Sequence, residues 1–223
     1  MTLPVVTIPA LAIEGRSERF PVRRIYCVGQ NYADHAREMG SNPDRQPPFF
    51  FSKPAGAVVP DGRSVPYPPR TADLHHEVEL VLALGGSGSD VSAAEALTLV
   101  LGCAVGVDLT RRDLQAEAKA IGRPWDMAKG FDHSAPIGAL ALGTPPDGAA
   151  IGLTVNGDPR QRGQLSDMIW SPAEIVSTLS TYVTLAPGDL IFTGTPAGVG
   201  RLHPGDRVRA WVEGLPELTF GVA

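Results

Sequence analysis

Apolar residues along the chain fall into short runs that turn-forming residues separate. The strand-like runs are RRIYCVG (residues 23–29), FFFSKP (49–54), HHEVELVLALG (75–85) and LGCAVGVDL (101–109). The chain contains 25 Gly and 21 Pro, spread over turn signals such as PDG, NGD and PGD instead of being concentrated in a linker. This pattern predicts a mainly β protein of the α+β class, with an extended, peripheral segment at residues 1–22 and one folded domain at 23–223.

Capping and stop signals predict three or four short helices between the strands. The candidates are YADHAREMG (32–40), which ends at Gly40; SAAEALTLV (92–100), with a capping box of Ser92 and Glu95; TRRDLQAEAKAIG (110–122), from a Thr110 cap to Gly122; and SPAEIVSTLSTYV (171–183), with Ser171, Pro172 and Glu174 at its start. A polar loop, SNPDRQPP (41–48), follows the first of them. Asn156-Gly157 predicts a β-hairpin within LTVNGDPRQRGQ (153–164).

Composition narrows the classes of partner. The net charge is −5, from 19 Lys and Arg against 24 Asp and Glu, and no basic block supports binding to nucleic acid. No apolar run approaches the roughly 18 residues of a membrane span, and the start MTLPVVTIPA lacks the charged residues of a signal peptide. Cys27 and Cys103 lie in apolar, strand-like contexts, which favours buried free thiols. The sequence thus predicts a soluble, cytoplasmic protein.

Two glutamates in the run HHEVELVLALG are the strongest chemical signal. Side chains alternate across a strand, so Glu77 and Glu79 are expected on one face, where like charges repel unless a cation lies between them. Asp108 ends the next buried run, a place where functional side chains often emerge from a sheet. Three carboxylates would favour Mg²⁺, Mn²⁺ or Ca²⁺ over Zn²⁺, and the alternative is a solvated strand face with unrelated acids. His75 and His76 are expected to pack or form hydrogen bonds.

A second group could supply a base and a cation. His35 and Glu38 lie three residues apart on a predicted helix, so the carboxylate can orient the imidazole as a general base for water. Lys129, in WDMAKGFD, could bind a carboxylate or an oxyanion if it were enclosed. From the residues alone, exposed surface positions are favoured for both. Arg112 and Gln115 follow Asp108 on the next helix and would lie near a metal held there.

The glycine-rich segment GTPAGVG (194–200) is only a weak signal for a nucleotide site. Glycine motifs for nucleotides open a helix, whereas this segment runs into a turn and another strand, and no Lys-Ser or Lys-Thr pair follows it. Backbone amides in such a loop can still bind a small carboxylate, with help from Thr195.

Together these segments closely resemble the fumarylacetoacetate hydrolase family, in its acylpyruvase and fumarylpyruvate hydrolase branch. The matching motifs occur in family order over residues 24–215: YCVGQNYADHAREMG, PPFFFSKP, LHHEVELVLALG, VGVDLTRRDLQ, GRPWDMAKGFD, LTVNGDPRQ, DMIW and GDLIFTGTPAGVG. The resemblance implies that domain 23–223 is catalytic and has the family's mixed β-roll with a few peripheral helices, usually in a homodimer. One departure is Gln30, where most relatives have Arg, which bears on lid anchoring or on the preferred substrate charge.

The resemblance also implies an activity, a hydrolase that cleaves the C3–C4 bond of a 2,4-dioxo acid, in the first place fumarylpyruvate or maleylpyruvate, in gentisate-type aromatic catabolism. The products would be pyruvate and a carboxylate. By the resemblance, Glu77, Glu79 and Asp108 are the ligands of Mg²⁺ or Mn²⁺, with Ca²⁺ as a substitute. His35 and Glu38 form a water-activating dyad on a lid, and Lys129 would stabilise the oxyanion. The substrate contacts come from Arg112, Gln115, Lys129 and Thr195. The alternative is an oxaloacetate decarboxylase or oxo-diacid tautomerase with the same metal site.

Overall fold

A computed structural model describes the whole chain except residues 1, 2, 4, 6, 41–45 and 61. The strands are β1 Ala10–Ala12, β2 Arg19–Pro21, β3 Arg24–Gly29, β4 Phe49–Lys53, β5 Val58–Pro60, β6 Leu74–His76, β7 Val78–Leu84, β8 Val100–Val107, β9 Thr110–Arg111, β10 Ala135–Ile137, β11 Ala141–Leu142, β12 Ala150–Val155, β13 Asp158–Gln164, β14 Asp189–Phe192, β15 Gly200–Arg201, β16 Arg207–Val212 and β17 Leu218–Gly221. The α-helices are α1 Ala33–Glu38, α2 Ala93–Ala96, α3 Arg112–Ala120, α4 Asp126–Lys129 and α5 Pro172–Tyr182. The predicted mainly β, α+β class is confirmed. Most of the predicted polar loop 41–48 lies outside the described residues.

A mixed central sheet carries the strands that matter for the site. Its order is β4-β3-β14-β7-β8-β10-β5, and β11 also pairs with β8. Strands β3 and β14 run parallel, whereas β14 pairs antiparallel with β7, and β7 pairs antiparallel with β8. A second, antiparallel sheet has the order β13-β12-β16-β17, and a small one has the order β15-β6-β9.

Strand β7 is buried on both faces, which explains its almost continuous apolar sequence. Leu80 and Leu82 pack in one core cluster together with residues of the second sheet. Val81 and Ala83 pack in another cluster with Phe192 of β14. Because successive side chains of a strand point to opposite faces, β7 contributes residues to both core clusters. Packing on both faces holds the strand firmly in place. Glu79, in phase with Val81 and Ala83, is held where the strand begins.

Two extended pieces of the N-terminal segment, strands β1 and β2, lie at one edge of the core. Strands β1 and β2 pair with each other antiparallel. Leu11 and Phe20, the middle residues of these strands, are buried in the core cluster that also contains Ile25 of β3. One apolar side chain in each three-residue strand is enough to cover that edge of the core. The boundary between residues 22 and 23 stays a prediction.

Helix boundaries were predicted well where capping is local. Helix α5 begins at the predicted capping box, in which Ser171 and Glu174 each accept a hydrogen bond from the other's backbone N–H. Helix α1 ends as predicted, before Gly40 at φ +71°. Helix α2 is shorter than predicted and continues as a 3₁₀ turn at Leu97–Leu99. The Ser92 hydroxyl donates to Glu95 Oε2 at 2.8 Å, and no side-chain cap forms there.

The predicted Thr110 cap of α3 is wrong. Thr110 and Arg111 form strand β9, which pairs with His75 and Leu74 of β6. Pairing with β6 makes Thr110 part of a strand, and the helix begins at Arg112, whose backbone N–H donates to the Asp73 carbonyl at 2.8 Å. The shift places Arg112 in the first turn, beside the carboxylates of the neighbouring strands.

Several smaller predictions are confirmed. The β12–β13 hairpin turns at Asn156 and Gly157, whose φ values of +55° and +89° suit a tight turn of this type. Cys27 and Cys103 are free and buried, and burial raises the pKa of the Cys103 thiol to about 12. No helix among the described residues is long and apolar enough to cross a membrane.

Candidate active site

Three buried carboxylates converge where β7 begins and β8 ends. Strand pairing sets Val78 opposite Val107, so Glu77 just before β7 and Glu79 within it meet Asp108 just after β8. One oxygen atom from each carboxylate lies within 4.8 Å of the others. We call Glu77, Glu79 and Asp108 the carboxylate cluster. The predicted convergence is confirmed, and a solvated strand face is excluded because all three are buried.

Lys129, at the end of α4, lies between two members of the cluster. Its Nζ is 2.8 Å from Glu77 Oε2 and 2.6 Å from Asp108 Oδ2. Arg112 Nη2 donates to the other oxygen of Glu77. Burial disfavours a charged Glu77, but Lys129 and Arg112 outweigh it and hold the pKa of this carboxyl well below its ordinary value. Lys129 is buried, so the exposed surface position favoured from the residues alone is wrong.

Glu79 has a different environment from Glu77, although only Val78 separates them. The backbone N–H of Gly194 donates to Glu79 Oε2 at 2.6 Å, and Glu79 pairs with no cation among the described residues. Burial, followed by the charges of Asp108 and Glu77, raises the pKa of Glu79 well above its ordinary value. A cation beside Glu79 would reverse this shift.

The donor set fits a hard divalent cation. All three side chains offer carboxylate oxygens, the ligands that Mg²⁺ and Mn²⁺ prefer. Both oxygens of the buried Asp108 carboxylate lie close to ammonium groups, Oδ1 to Lys53 at 2.7 Å and Oδ2 to Lys129 at 2.6 Å, so a metal ion would bind here in competition with these cations. Glu79 pairs with no cation among the described residues, so a metal ion beside it would supply the missing positive charge. The cluster could therefore hold such an ion.

Lys53, a buried cation in contact with the cluster, was not predicted from the sequence. Its Nζ lies 2.7 Å from Asp108 Oδ1, in a geometry outside that of a hydrogen bond, and donates to the backbone oxygens of Leu109, at 3.1 Å, and Lys129. Lys53 thus ties β4 to the end of β8 and to α4. The signal was available, because a lysine in the otherwise apolar run FFFSKP needs a carboxylate partner if the strand is buried.

Gln161 of β13 was also missed, and it connects the carboxylate strand to the glycine-rich loop. Gln161 Oε1 accepts from His76 Nδ1 at 2.9 Å and from the Val78 backbone N–H at 3.1 Å. Its Nε2 donates to Thr195 Oγ1 at 2.7 Å and to the Pro196 carbonyl at 2.9 Å. Because an amide oxygen can only accept, the proton lies on His76 Nδ1, and burial lowers the pKa of His76. His75 bonds Asp73 instead, so both histidines have the predicted hydrogen-bonding role.

Gln161→Leu should lower the free energy of unfolding by about 1–3 kcal/mol, because it leaves buried donors and acceptors without partners at nearly constant side-chain volume. Urea denaturation measures the change. Arg162→Leu is the matched control, since Arg162 is exposed on the same strand. Equal stability of the two variants would contradict the linking role of Gln161.

The His35–Glu38 pair forms as predicted. His35 Nδ1 lies 3.2 Å from Glu38 Oε2, and the backbone N–H of Gly198 reaches both oxygens of Glu38 at 3.2 Å. His35 is only 6% exposed, so the alternative of an incidental pair on an exposed helix face is wrong. Glu38 therefore holds the imidazole and also joins α1 to the glycine-rich loop.

One cleft brings most of the predicted residues together. It is lined by the carboxylate cluster and by His35, Arg112, Gln115, Lys129 and Thr195. Glu38 reaches it through His35, and Gln115 Oε1 accepts from Arg112 Nη1 at 2.6 Å. Phe51 and Trp125 add apolar walls, and Gln30 also lines the cleft. The free space is about 30 Å³, enough for one or two water molecules.

Comparison with known proteins agrees with this arrangement. The family model described as Fumarylacetoacetate (FAA) hydrolase C-terminal matches residues 24–223. Fumarylpyruvate hydrolase from Pseudomonas aeruginosa, solved in complex with Mn²⁺ and pyruvate, is 49% identical, and the match has a TM-score of 0.97 over 100% of this chain and 99% of that one. Fumarylpyruvate hydrolase from Ralstonia sp is 44% identical over 176 residues, 78% of this chain and 92% of that protein.

A relative of different activity is nearly as similar. The mitochondrial oxaloacetate tautomerase FAHD1 of Homo sapiens is 42% identical over 203 residues, 90% of this chain and 91% of that protein. The full-length structural match confirms the mixed β-roll that the sequence predicted. The chain belongs to the fumarylacetoacetate hydrolase family, in the branch that includes the fumarylpyruvate hydrolases.

Proposed function

We propose that this protein is a metal-dependent hydrolase that cleaves the C3–C4 bond of a 2,4-dioxo acid to pyruvate and a carboxylate. The observation that carries the proposal is one cleft lined by a buried carboxylate cluster, a carboxylate-supported histidine and an enclosed lysine. The similarity to a fumarylpyruvate hydrolase that binds Mn²⁺ and pyruvate supports this substrate class. Fumarylpyruvate and maleylpyruvate are the first candidates, in aromatic catabolism of the gentisate type.

Glu77, Glu79 and Asp108 are the proposed ligands of Mg²⁺ or Mn²⁺, for which Ca²⁺ is a possible substitute. When bound, such an ion supplies Lewis acidity for the negative charge that develops on the pyruvate part of the substrate. Arg112, Gln115 and Thr195 line the same cleft and are the proposed substrate contacts. Thr195 is oriented by the hydrogen bond from Gln161.

His35 is the proposed general base. The Glu38 carboxylate can only accept, so the hydrogen between the two side chains belongs to His35 Nδ1, and Nε2 is left to take a proton from water. The resulting hydroxide attacks C4, and the Lys129 ammonium stabilises the oxyanion. The C3–C4 electron pair then stays with the pyruvate enolate, which takes a proton at C3, while the acyl part leaves as a carboxylate.

The test is pyruvate formation from fumarylpyruvate, maleylpyruvate, acetylpyruvate and oxaloacetate, compared side by side with Mg²⁺ and with Mn²⁺. Hydrolysis of an acylpyruvate that stops after chelation of the metal is the expected result. Pyruvate formation from oxaloacetate alone would replace the proposal with the decarboxylase of the second candidate. Its tautomerase form releases no pyruvate and would instead be seen as enol–keto interconversion of oxaloacetate, followed by ultraviolet absorbance. The similarity to the human oxaloacetate tautomerase is the observation that supports this second candidate.

His35→Ala should lower acylpyruvate hydrolysis by about 10²-fold or more, because general-base catalysis of water attack is lost. Mn²⁺ affinity should not change, since His35 is not part of the carboxylate cluster. Asp34→Ala is the matched control, because Asp34 lies next to His35 on α1 with an 83% exposed side chain. A His35→Ala variant that retains full hydrolysis would remove His35 from the mechanism. Enolisation or decarboxylation of oxaloacetate needs no activated water, so those activities should be less sensitive to the substitution.

Homodimer formation and a cytoplasmic location, both expected from the sequence, stay predictions. Size-exclusion chromatography with light scattering would test the first of them.

A further inference from the structure

Lys119 is a cation of the cleft that the proposed chemistry does not use. It lies on α3, one turn beyond Gln115 and two turns beyond Arg112, and positions with this spacing share one helix face. All three residues line the same cleft. Because α3 starts at the Arg112–Glu77 ion pair, its face extends from the carboxylate cluster toward the outer part of the cleft.

Lys119 differs from the other two cations that line the cleft, because it has no anionic partner. Arg112 pairs with Glu77, and Lys129 pairs with Glu77 and Asp108. Lys119 forms no ion pair with any described residue, and its Nζ lies 5.4 Å from the centre of the Trp125 ring. A cation–π contact at an exposed site contributes only about 0.5–1 kcal/mol, so the ammonium remains available to an anion.

The position of Lys119 suits the far end of an extended diacid. Its Cα lies about 10 Å along the helix axis from that of Arg112. The charge of Glu77 acts on the Lys119 ammonium, which therefore lies within electrostatic reach of the cluster. An extended chain advances about 1.2 Å per bond, which gives about 7 Å between the carboxyl carbons of a seven-carbon diacid. Burial and the charge of Arg112 lower the pKa of Lys119. An incoming carboxylate would raise this pKa again and so keep the ammonium charged.

We propose that Lys119 binds the distal carboxylate of the substrate and thereby selects acylpyruvates whose acyl group ends in an acid. This inference rests on the proposed function and names its substrate class, a seven-carbon diacid in preference to an acylpyruvate with an uncharged acyl group. Trp125, whose ring lies 5.4 Å from the ammonium, holds that group at the wall of the cleft until the substrate arrives.

A binding experiment tests the inference without turnover. The probes are 2-oxopimelate and 2-oxoheptanoate, which have equal length, differ in the distal carboxylate and lack the C4 carbonyl that hydrolysis requires. Calorimetry with the Mn²⁺-loaded protein should show about 10- to 100-fold tighter binding of 2-oxopimelate, the range expected for a hydrogen bond to a charged group. Lys119→Met should abolish this preference and leave the affinity for 2-oxoheptanoate unchanged.

Two further variants sharpen the test. Lys119→Arg keeps the cation and should retain most of the preference. Arg123→Met removes a nearby exposed cation that does not line the cleft, so it should leave the preference unchanged if binding at Lys119 is specific. Equal loss in the Arg123 and Lys119 variants would assign the effect to general charge and overturn the inference.

The outcomes separate this inference from the proposed function. In the wild type, equal affinity for the two probes overturns the role of Lys119, whatever the enzyme hydrolyses. A clear preference for 2-oxopimelate without hydrolysis of any acylpyruvate leaves the role of Lys119 intact and overturns the proposed function. Where hydrolysis occurs, Lys119→Met should lower kcat/KM for fumarylpyruvate about 10- to 100-fold and leave acetylpyruvate unaffected.

Discussion

Glu79→Gln is expected to weaken Mn²⁺ binding more than about 100-fold and to abolish turnover. Changing a residue that only hydrogen-bonds to a metal ligand lowers metal affinity by about 10–100-fold, and loss of a charged ligand itself should lower it more. The metal-free variant should nevertheless be at least as stable as the wild type. Glu79 pairs with no described cation, and an uncharged amide removes its repulsion from Asp108 and Glu77. Calorimetry with Mn²⁺ measures the first effect, and urea denaturation in a chelator measures the second.

The pH dependence of the metal-free protein follows from the same carboxyl group. The folded-state pKa of Glu79 is raised, so the folded state binds this proton more tightly than the unfolded chain does. The resulting stability is complete below the ordinary pKa of 4.5. It is lost as the pH rises through the raised value. Glu79→Gln should lack this loss, and Mn²⁺ should suppress it in the wild type.

Glu77→Gln is the control for Glu79→Gln, with the same chemical change two residues away. Glu77 is the charged partner of Lys129 and Arg112, and its folded-state pKa is lowered, so its contribution is lost as the pH falls. Breaking such a buried pair should destabilise the metal-free protein by about 3–5 kcal/mol. If Glu79→Gln destabilised the metal-free protein as much as Glu77→Gln, the distinction between the two carboxylates would be wrong.

The parts of the site that follow from local patterns could be predicted from the sequence. Strand alternation brings Glu77 and Glu79 together, and the end of an apolar run marks Asp108. Helical spacing likewise predicts the contact between His35 and Glu38. These patterns depend on backbone geometry that residues close in sequence determine themselves, which is why α1, α5 and the β12–β13 hairpin were also predicted.

The remaining parts depend on contacts between distant segments. Lys53 meets Asp108, and Gln161 meets His76 and Thr195, only because the sheets bring those strands side by side. Residue type alone could not give the burial of Lys129 for the same reason. The start of α3 was misplaced because pairing of Thr110 with β6 overrode its capping preference. Tertiary contacts decide the electrostatics of the site. The local sequence indicates that a buried lysine such as Lys53 needs a carboxylate partner, but it does not identify Asp108 as that partner.

Lys129 occupies oxygen atoms that the proposed metal would need. Its ammonium lies between Glu77 Oε2 and Asp108 Oδ2, and the cleft has only about 30 Å³ of free space. In the metal-free protein this ammonium therefore acts as the counter-cation of two carboxylates. A metal ion and the ammonium then compete for the same oxygens. The ammonium weakens binding of the ion by the same free energy by which the ion weakens the contacts of the ammonium. Binding of the ion should release Lys129 toward the substrate.

Lys129→Met is therefore expected to bind Mn²⁺ more tightly than the wild type and yet to turn over substrate about 10²–10³-fold more slowly, because the donor to the oxyanion is gone. The metal-free variant should lose about 3–5 kcal/mol of stability, since two buried carboxylates lose their shared partner, and Mn²⁺ should restore more stability than it adds to the wild type. Calorimetry, thermal unfolding and a pyruvate assay measure the three effects, with Lys119→Met as a control that should bind Mn²⁺ normally. If Lys129→Met bound Mn²⁺ as weakly as Glu79→Gln does, the ammonium would be a support of the metal site instead of its competitor.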